Sequence, residues 1–176
     1  MISLLAMLTA AAAQAPAAAT PHTLQNLPGV TVHYYDVAGE DSDTIKKSLD
    51  KIAKAPSPNT ASQVYDWAVD VAISKRTEGT TCTVTSATAT LKANVYLPRL
   101  SGSHVPRDVA DGFGKYEKSL ETSAVDNLGF VVDRLPAIQQ SLIGKPCDSV
   151  QGLWTQADDK LLADQKAFAA AHASKK

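Results

Sequence analysis

Four histidines, two cysteines and a scatter of carboxylates are the residues of this 176-residue chain that can bind a metal or move a proton. A zinc hydrolase site built on one helix needs two imidazoles a single turn apart, so that both reach the ion. It also needs a carboxylate beside the first imidazole to activate bound water. His22, His33, His104 and His172 offer no such pair, because no two stand four residues apart. Neither Cys82 nor Cys147 has a second ligand at metal spacing. Glu117 and Glu121, one helical turn apart, have the oxygens for a hard cation, but a solvated helix face explains them more simply. Asp66 and Asp70 share one side of a strand and could form an acid/base pair, but the polar face of an amphipathic strand explains them more simply. Ser101, Ser103 and His104 share a loop, and a nucleophile–base pair there depends on geometry that spacing does not fix. The chain has no glycine-rich phosphate loop, no CxxC and no basic-aromatic patch.

The elements that must position these residues follow from hydrophobic period. VTVHYYDV (residues 30–37) is rich in β-branched and aromatic types and predicts a strand ended by Gly39. Asp41, Ser42 and Asp43 are N-cap choices for a helix through about Lys54, with Ile45, Leu49 and Ile52 on its apolar face. Pro56-Ser57-Pro58-Asn59 ends it. From Val64 to Ser74 the period becomes two, with Tyr65, Trp67, Val69, Val71 and Ile73 opposite Asp66, Asp70 and Ser74. After a turn at residues 76–79, a long strand runs from Cys82 to about Leu97, and its phase change predicts a bulge near Thr85. The two strands form a long antiparallel hairpin. Pro98 to Pro106 is predicted as a loop. Asp108 is the expected cap of a long helix reaching about Arg134, with Val109, Phe113, Tyr116, Leu120, Asn127 and Val131 as its core stripe and Pro136 as its interruption. Asp148 or Ser149 caps a last helix whose stripe is Val150, Leu153 or Trp154, Ala157, Leu161 and Phe168. The layout predicts an α+β domain: N-terminal antiparallel strands with one short helix, then two long C-terminal helices.

Net charge is −1 and the basic residues are thinly spread, which excludes an electrostatic case for nucleic acid. The first twenty residues, MISLLAMLTAAAAQAPAAAT, hold a short apolar run and several Ala-x-Ala matches, the pattern of a secretory signal peptide cleaved near Ala13. The run is too short for a mature membrane span. Residues 21–29 then form a flexible lead-in and residues 30–176 a single domain. In an oxidising compartment, periplasmic or extracellular, Cys82 and Cys147 have one possible intramolecular pairing. Closing a loop of about 66 residues contributes roughly 4 kcal/mol in the chain-entropy model.

Several segments together resemble one family: YYDVAG (34–39), VYDWAVDVAI (64–73), CTVTSATATLKANVYLPR (82–99), FGKYEKSL (113–120) and PCDSV (146–150). They are similar to the bacterial secreted domain-of-unknown-function 922 family, whose members are regarded as zinc-dependent peptidases. The resemblance implies a zinc-peptidase-like fold and paired cysteines. It also implies an HExxH element on the helix after Tyr116 and Leu120. In that register the two His slots are Ser123 and Asn127 and the Glu slot is Ala124, so all three functional residues are lost. The family's C-terminal histidine has one remnant candidate, His172.

The expectation is therefore an exported pseudo-peptidase domain without cofactor, binding or scaffolding a protein or peptide in the cell envelope. One alternative is an active hydrolase, with zinc as cofactor only in that case or with a relocated site. Another is an inhibitor or partner of an active paralogue.

Overall fold

A computed structural model describes residues 22–53, 64–102 and 104–173. The proposed signal peptide with its cleavage near Ala13, the Pro56–Asn59 loop and Ser103 lie outside the described residues. The chain order is β1 (Val30–Ala38), α1 (Ser42–Ala53), β2 (Tyr65–Glu78), β3 (Thr81–Ser101), α2 (Arg107–Val132), α3 (Leu135–Leu142) and α4 (Val150–Ala173). This is an α+β arrangement in which one three-stranded sheet, ordered β1-β3-β2, carries helices.

β2 and β3 form the expected antiparallel hairpin, turned by Gly79 at φ 60°. Ser74 pairs with Ser86 and Lys75 with Val84, which leaves Thr85 as the bulged residue where the phase change predicted one. The pairing of β1 corrects the expectation of an all-antiparallel sheet, because β1 runs parallel to β3, Val30 opposite Ala93 through Ala38 opposite Ser101. A period of two reports which side of a strand is buried, and strand direction leaves no trace in it. What makes the arrangement possible is length: β3 has 21 residues and accepts a neighbour on each edge. Pro98, expected in a loop, lies within β3 and is fully buried opposite Tyr35.

The main core forms where Ala89, Leu91, Ala93, Val95 and Leu97 of β3 meet Ala124, Leu128 and Val131 of α2, Leu135 and Ile138 of α3, and Leu161 of α4. Burying a side chain such as Leu91 or Leu128 contributes about 2 kcal/mol. The segment expected as a flexible lead-in adds Leu24 and Leu27 to this core. Gly29 allows the close approach: its φ is 74°, and a Cβ there would stand 1.8 Å from the Leu91 carbonyl oxygen. His22 lies against Gly129, with its Nε2 2.9 Å from Asp133 Oδ1.

Two details of α2 differ from expectation. Pro106 precedes the helix and no side chain caps it, so Asp108 sits inside the first turn, where its charge still favours the helix dipole. Tyr116, placed on the core stripe by spacing, is 41% exposed. Beyond α2 the chain breaks at Asp133 and Arg134 and restarts as the short α3, with Pro136 in its first turn, where no amide hydrogen is needed. The expected two C-terminal helices are thus joined by a third. Ile73, expected on the buried face of β2, is exposed, and so are the residues of β2 that follow it.

Candidate functional site

Ser123 and Asn127 lie one turn apart at the middle of α2. Asn127 falls on the core-facing stripe and Ser123 at its margin, so the helical period alone carries an amide into an apolar interior. α4 does the same from the other side: four residues after the buried Leu161, its period brings Gln165 inward. Asn127 at 5% exposure and Gln165 at 7% are the buried polar residues of the described chain. They satisfy each other. Gln165 Nε2 donates to Asn127 Oδ1 at 3.0 Å and to the Tyr65 hydroxyl oxygen at 3.0 Å, while Asn127 Nδ2 donates to the Ser123 carbonyl at 2.7 Å. This amide chain ties α2, α4 and the start of β2 together. Burial raises the Tyr65 pKa above its ordinary value, and the hydrogen bond from Gln165 acts the other way.

A cleft of about 480 Å³ opens on this chain, lined among others by Val64, Tyr65, Trp67, Ser123, Gln165 and Lys166. Ala124 is fully buried in the main core. The sequence-expected positions therefore divide: Ser123 reaches the cleft, Asn127 is bonded to the Gln165 that lines it, and Ala124 belongs to the apolar interior.

Zinc does not fit this donor set. A zinc site of the expected kind uses imidazole, thiolate or carboxylate donors. Here the positions hold a hydroxyl and a neutral amide whose nitrogen and oxygen are both engaged in hydrogen bonds. Among the described residues, no three His, Cys, Asp or Glu side chains come together in a group able to hold a metal ion. Ala124 has no group to act as a base.

The remaining candidates are dispersed. His172 stands seven residues beyond Gln165, about 10 Å along the helix axis. Its ring stacks on Phe168 at 4.0 Å, and its Nδ1 lies 2.9 Å from the Phe168 carbonyl oxygen. Glu121 pairs with Lys118 at 2.8 Å on the surface of α2. Asp70 pairs with Lys92, so it forms no couple with Asp66. Ser101 ends β3, and His104 is exposed beyond it. Cys82 and Cys147 form a disulfide with their Cα atoms 5.5 Å apart.

Spacing missed Gln165, and it missed a second group on the opposite face of the sheet. Asn94 Nδ2 donates to Asp66 Oδ1 at 2.9 Å, and the Tyr96 hydroxyl donates to Asp66 Oδ2 at 3.1 Å. His33 stacks on Tyr96 with centroids 5.3 Å apart, and its Nε2 lies 3.1 Å from Asn94 Oδ1. Desolvation and then the Asp66 carboxylate raise the Tyr96 pKa, which keeps this phenol a donor. The β2–β3 register sets Asp66 opposite Asn94, and the pairing of β1 with β3 adds His33 opposite Tyr96. For Gln165 a signal did exist: a polar residue at a core-register position of one helix asks for a polar partner on another, and Asn127 stood at such a position.

Among known proteins, the family model described as "Bacterial protein of unknown function (DUF922)" matches residues 32–175. No curated protein and no solved structure matches the chain.

Proposed function

This chain belongs to the DUF922 family of bacterial proteins, and from that membership and the chemistry of the cleft we propose that it is a non-catalytic binding domain of the cell envelope. On this reading it keeps a zinc-peptidase-like scaffold without the zinc site, and its cleft between β2, α2 and α4 receives a protein or peptide ligand. One observation carries the reading: the turn of α2 where the family resemblance implies metal ligands is occupied by a hydrogen-bonded chain of the Asn127 and Gln165 amides, the Tyr65 hydroxyl and the main-chain carbonyl of Ser123. Such groups recognise hydrogen-bonding ligands and are poor partners for zinc. Export is part of the proposal. The apolar and Ala-x-Ala pattern of residues 1–20 supports it, as does a disulfide at home in an oxidising compartment. No helix among the described residues is long and apolar enough to cross a membrane.

The test is metal content together with peptidase activity, measured on protein purified from an oxidising compartment. The expected result is no stoichiometric zinc and no chelator-sensitive proteolysis. The intact mass should lack roughly the first 13 to 20 residues. Ser123→His with Asn127→His should create a two-imidazole face and a measurable zinc affinity. Tight zinc in the unmodified protein, with proteolysis lost on chelation, overturns the reading.

A further inference from the structure

We infer that the cleft takes the free carboxylate end of an extended peptide, an inference that rests on the binding-domain reading above. The lining presents hydrogens where a metal would require lone pairs. Tyr65 already accepts from Gln165 Nε2, so its own hydrogen is left for another acceptor, and no described residue provides one. A phenol ordinarily titrates near 10.0, and burial moves Tyr65 further up, so the hydrogen is present at neutral pH. Lys166 is exposed at the same cleft and forms no ion pair with a described residue. The acidic residue of the lining, Asp66, has both oxygens engaged by Asn94 and Tyr96 on the other face of the sheet. Ser123 adds a hydroxyl. An ammonium and two hydroxyls at one cleft complement an anion, and a carboxylate accepts from several donors at once.

The backbone indicates what the anion is attached to. β2 pairs only with β3 and is an edge of the described sheet. Its first residues, Tyr65 to Trp67, line the cleft together with Val64. An edge strand offers a row of main-chain donors and acceptors to an added extended segment. A peptide lying along Val64–Trp67 uses that row for affinity and places its terminal carboxylate by Lys166 and Tyr65. Trp67 and Leu162 supply apolar contact beside it.

The experiment titrates the full chain, isotope-labelled and followed by NMR, with N-acetylated randomised tetrapeptides as free acids and as C-terminal amides. Free acids should shift the backbone signals of residues 64–67 and 165–166, and the amides should bind about tenfold more weakly, the loss of one charge-assisted hydrogen bond. Lys166→Gln should weaken the free acids about tenfold and leave the amides unchanged. Tyr65→Phe should give a smaller loss of the same kind. Equal binding of the two peptide forms, signals moving elsewhere, or no binding of either form overturns the inference. Inorganic phosphate reproducing the whole pattern overturns it as well, since phosphate cannot use the strand edge. Metal content measured on the same sample separates the two levels. Zinc-free protein that ignores the carboxylate sinks this inference alone, whereas zinc-loaded protein sinks the reading beneath it.

Discussion

The two ends of the β2–β3 hairpin solve the same problem in opposite ways. At the turn end, the Cys82–Cys147 disulfide, the bridge between Thr83 and Pro146, and main-chain hydrogen bonds from Val84 and Gly144 anchor the loop before α4 to β3. Beneath them Val84, Leu142 and Val150 form a small apolar cluster. At the cleft end, α4 meets α2 and β2 through the Asn127–Gln165–Tyr65 chain. A covalent tie, main-chain hydrogen bonds and buried apolar surface hold one end without buried polar side chains. The other end buries two amides, although apolar side chains of similar size would pack there without any polar group to satisfy. The contrast teaches that the polar chain is not required for attaching α4, and it directs attention to the cleft as the place where those groups are used.

If that contrast is right, damage at the turn end should cost stability and damage at the cleft end should cost recognition. The largest effect is expected on reducing the disulfide, whose sequence separation is 65. Unfolding free energy should fall by roughly 4 kcal/mol in the chain-entropy model, measured by denaturant titration with and without reductant. Peptide binding by the folded fraction should be unchanged. A loss of binding without a loss of stability would break the comparison. Next is Leu142→Ala in the fully buried turn-end cluster, with an expected cost of about 3 kcal/mol.

The cleft end calls for a double-mutant cycle. Asn127→Leu removes the acceptor of one Gln165 hydrogen and should cost about 1.5 kcal/mol, because a buried donor is left unpaired. Gln165→Met should cost a similar amount by stripping Asn127 of its donor. The double variant should be close to the unmodified protein in stability, giving a coupling of about 3 kcal/mol. A purely additive result would mean that the amide chain is not a unit.

The smallest expected effect is on pH dependence, away from both ends. Tyr35 is half-buried, and its pKa is pushed up to about 12, first by burial and then by Tyr116. Its folded state holds the proton more tightly than the unfolded chain, whose phenol titrates near 10.0. The contribution is therefore complete below about pH 10 and is lost as pH rises through about 12. Tyr35→Phe should flatten the alkaline decline of stability and leave stability near neutral pH little changed.

How much of this was legible in the sequence depends on the range of the interaction. The hairpin, the bulge at Thr85 and the long helix α2 are written in local period, and the sole cysteine pair allowed one bridge. The parallel placement of β1 and the docking of Leu24 and Leu27 depend on partners 60 or more residues away, which no local pattern encodes. The site divides in the same way. Ser123 and Asn127 could be placed by counting along one helix, whereas Gln165 and Tyr65 join them only after α4 and β2 fold against α2.

The central claim is that the middle of α2 holds a hydrogen-bonded amide site in place of a metal centre. The most direct measurement follows the side-chain amide NMR signals of Asn127 and Gln165 while zinc is titrated into the metal-free protein. The account predicts two resolved NH2 groups, protected from solvent exchange, that do not move at equimolar zinc. Stoichiometric zinc that shifts or removes those two signals, with the rest of the spectrum intact, would contradict it.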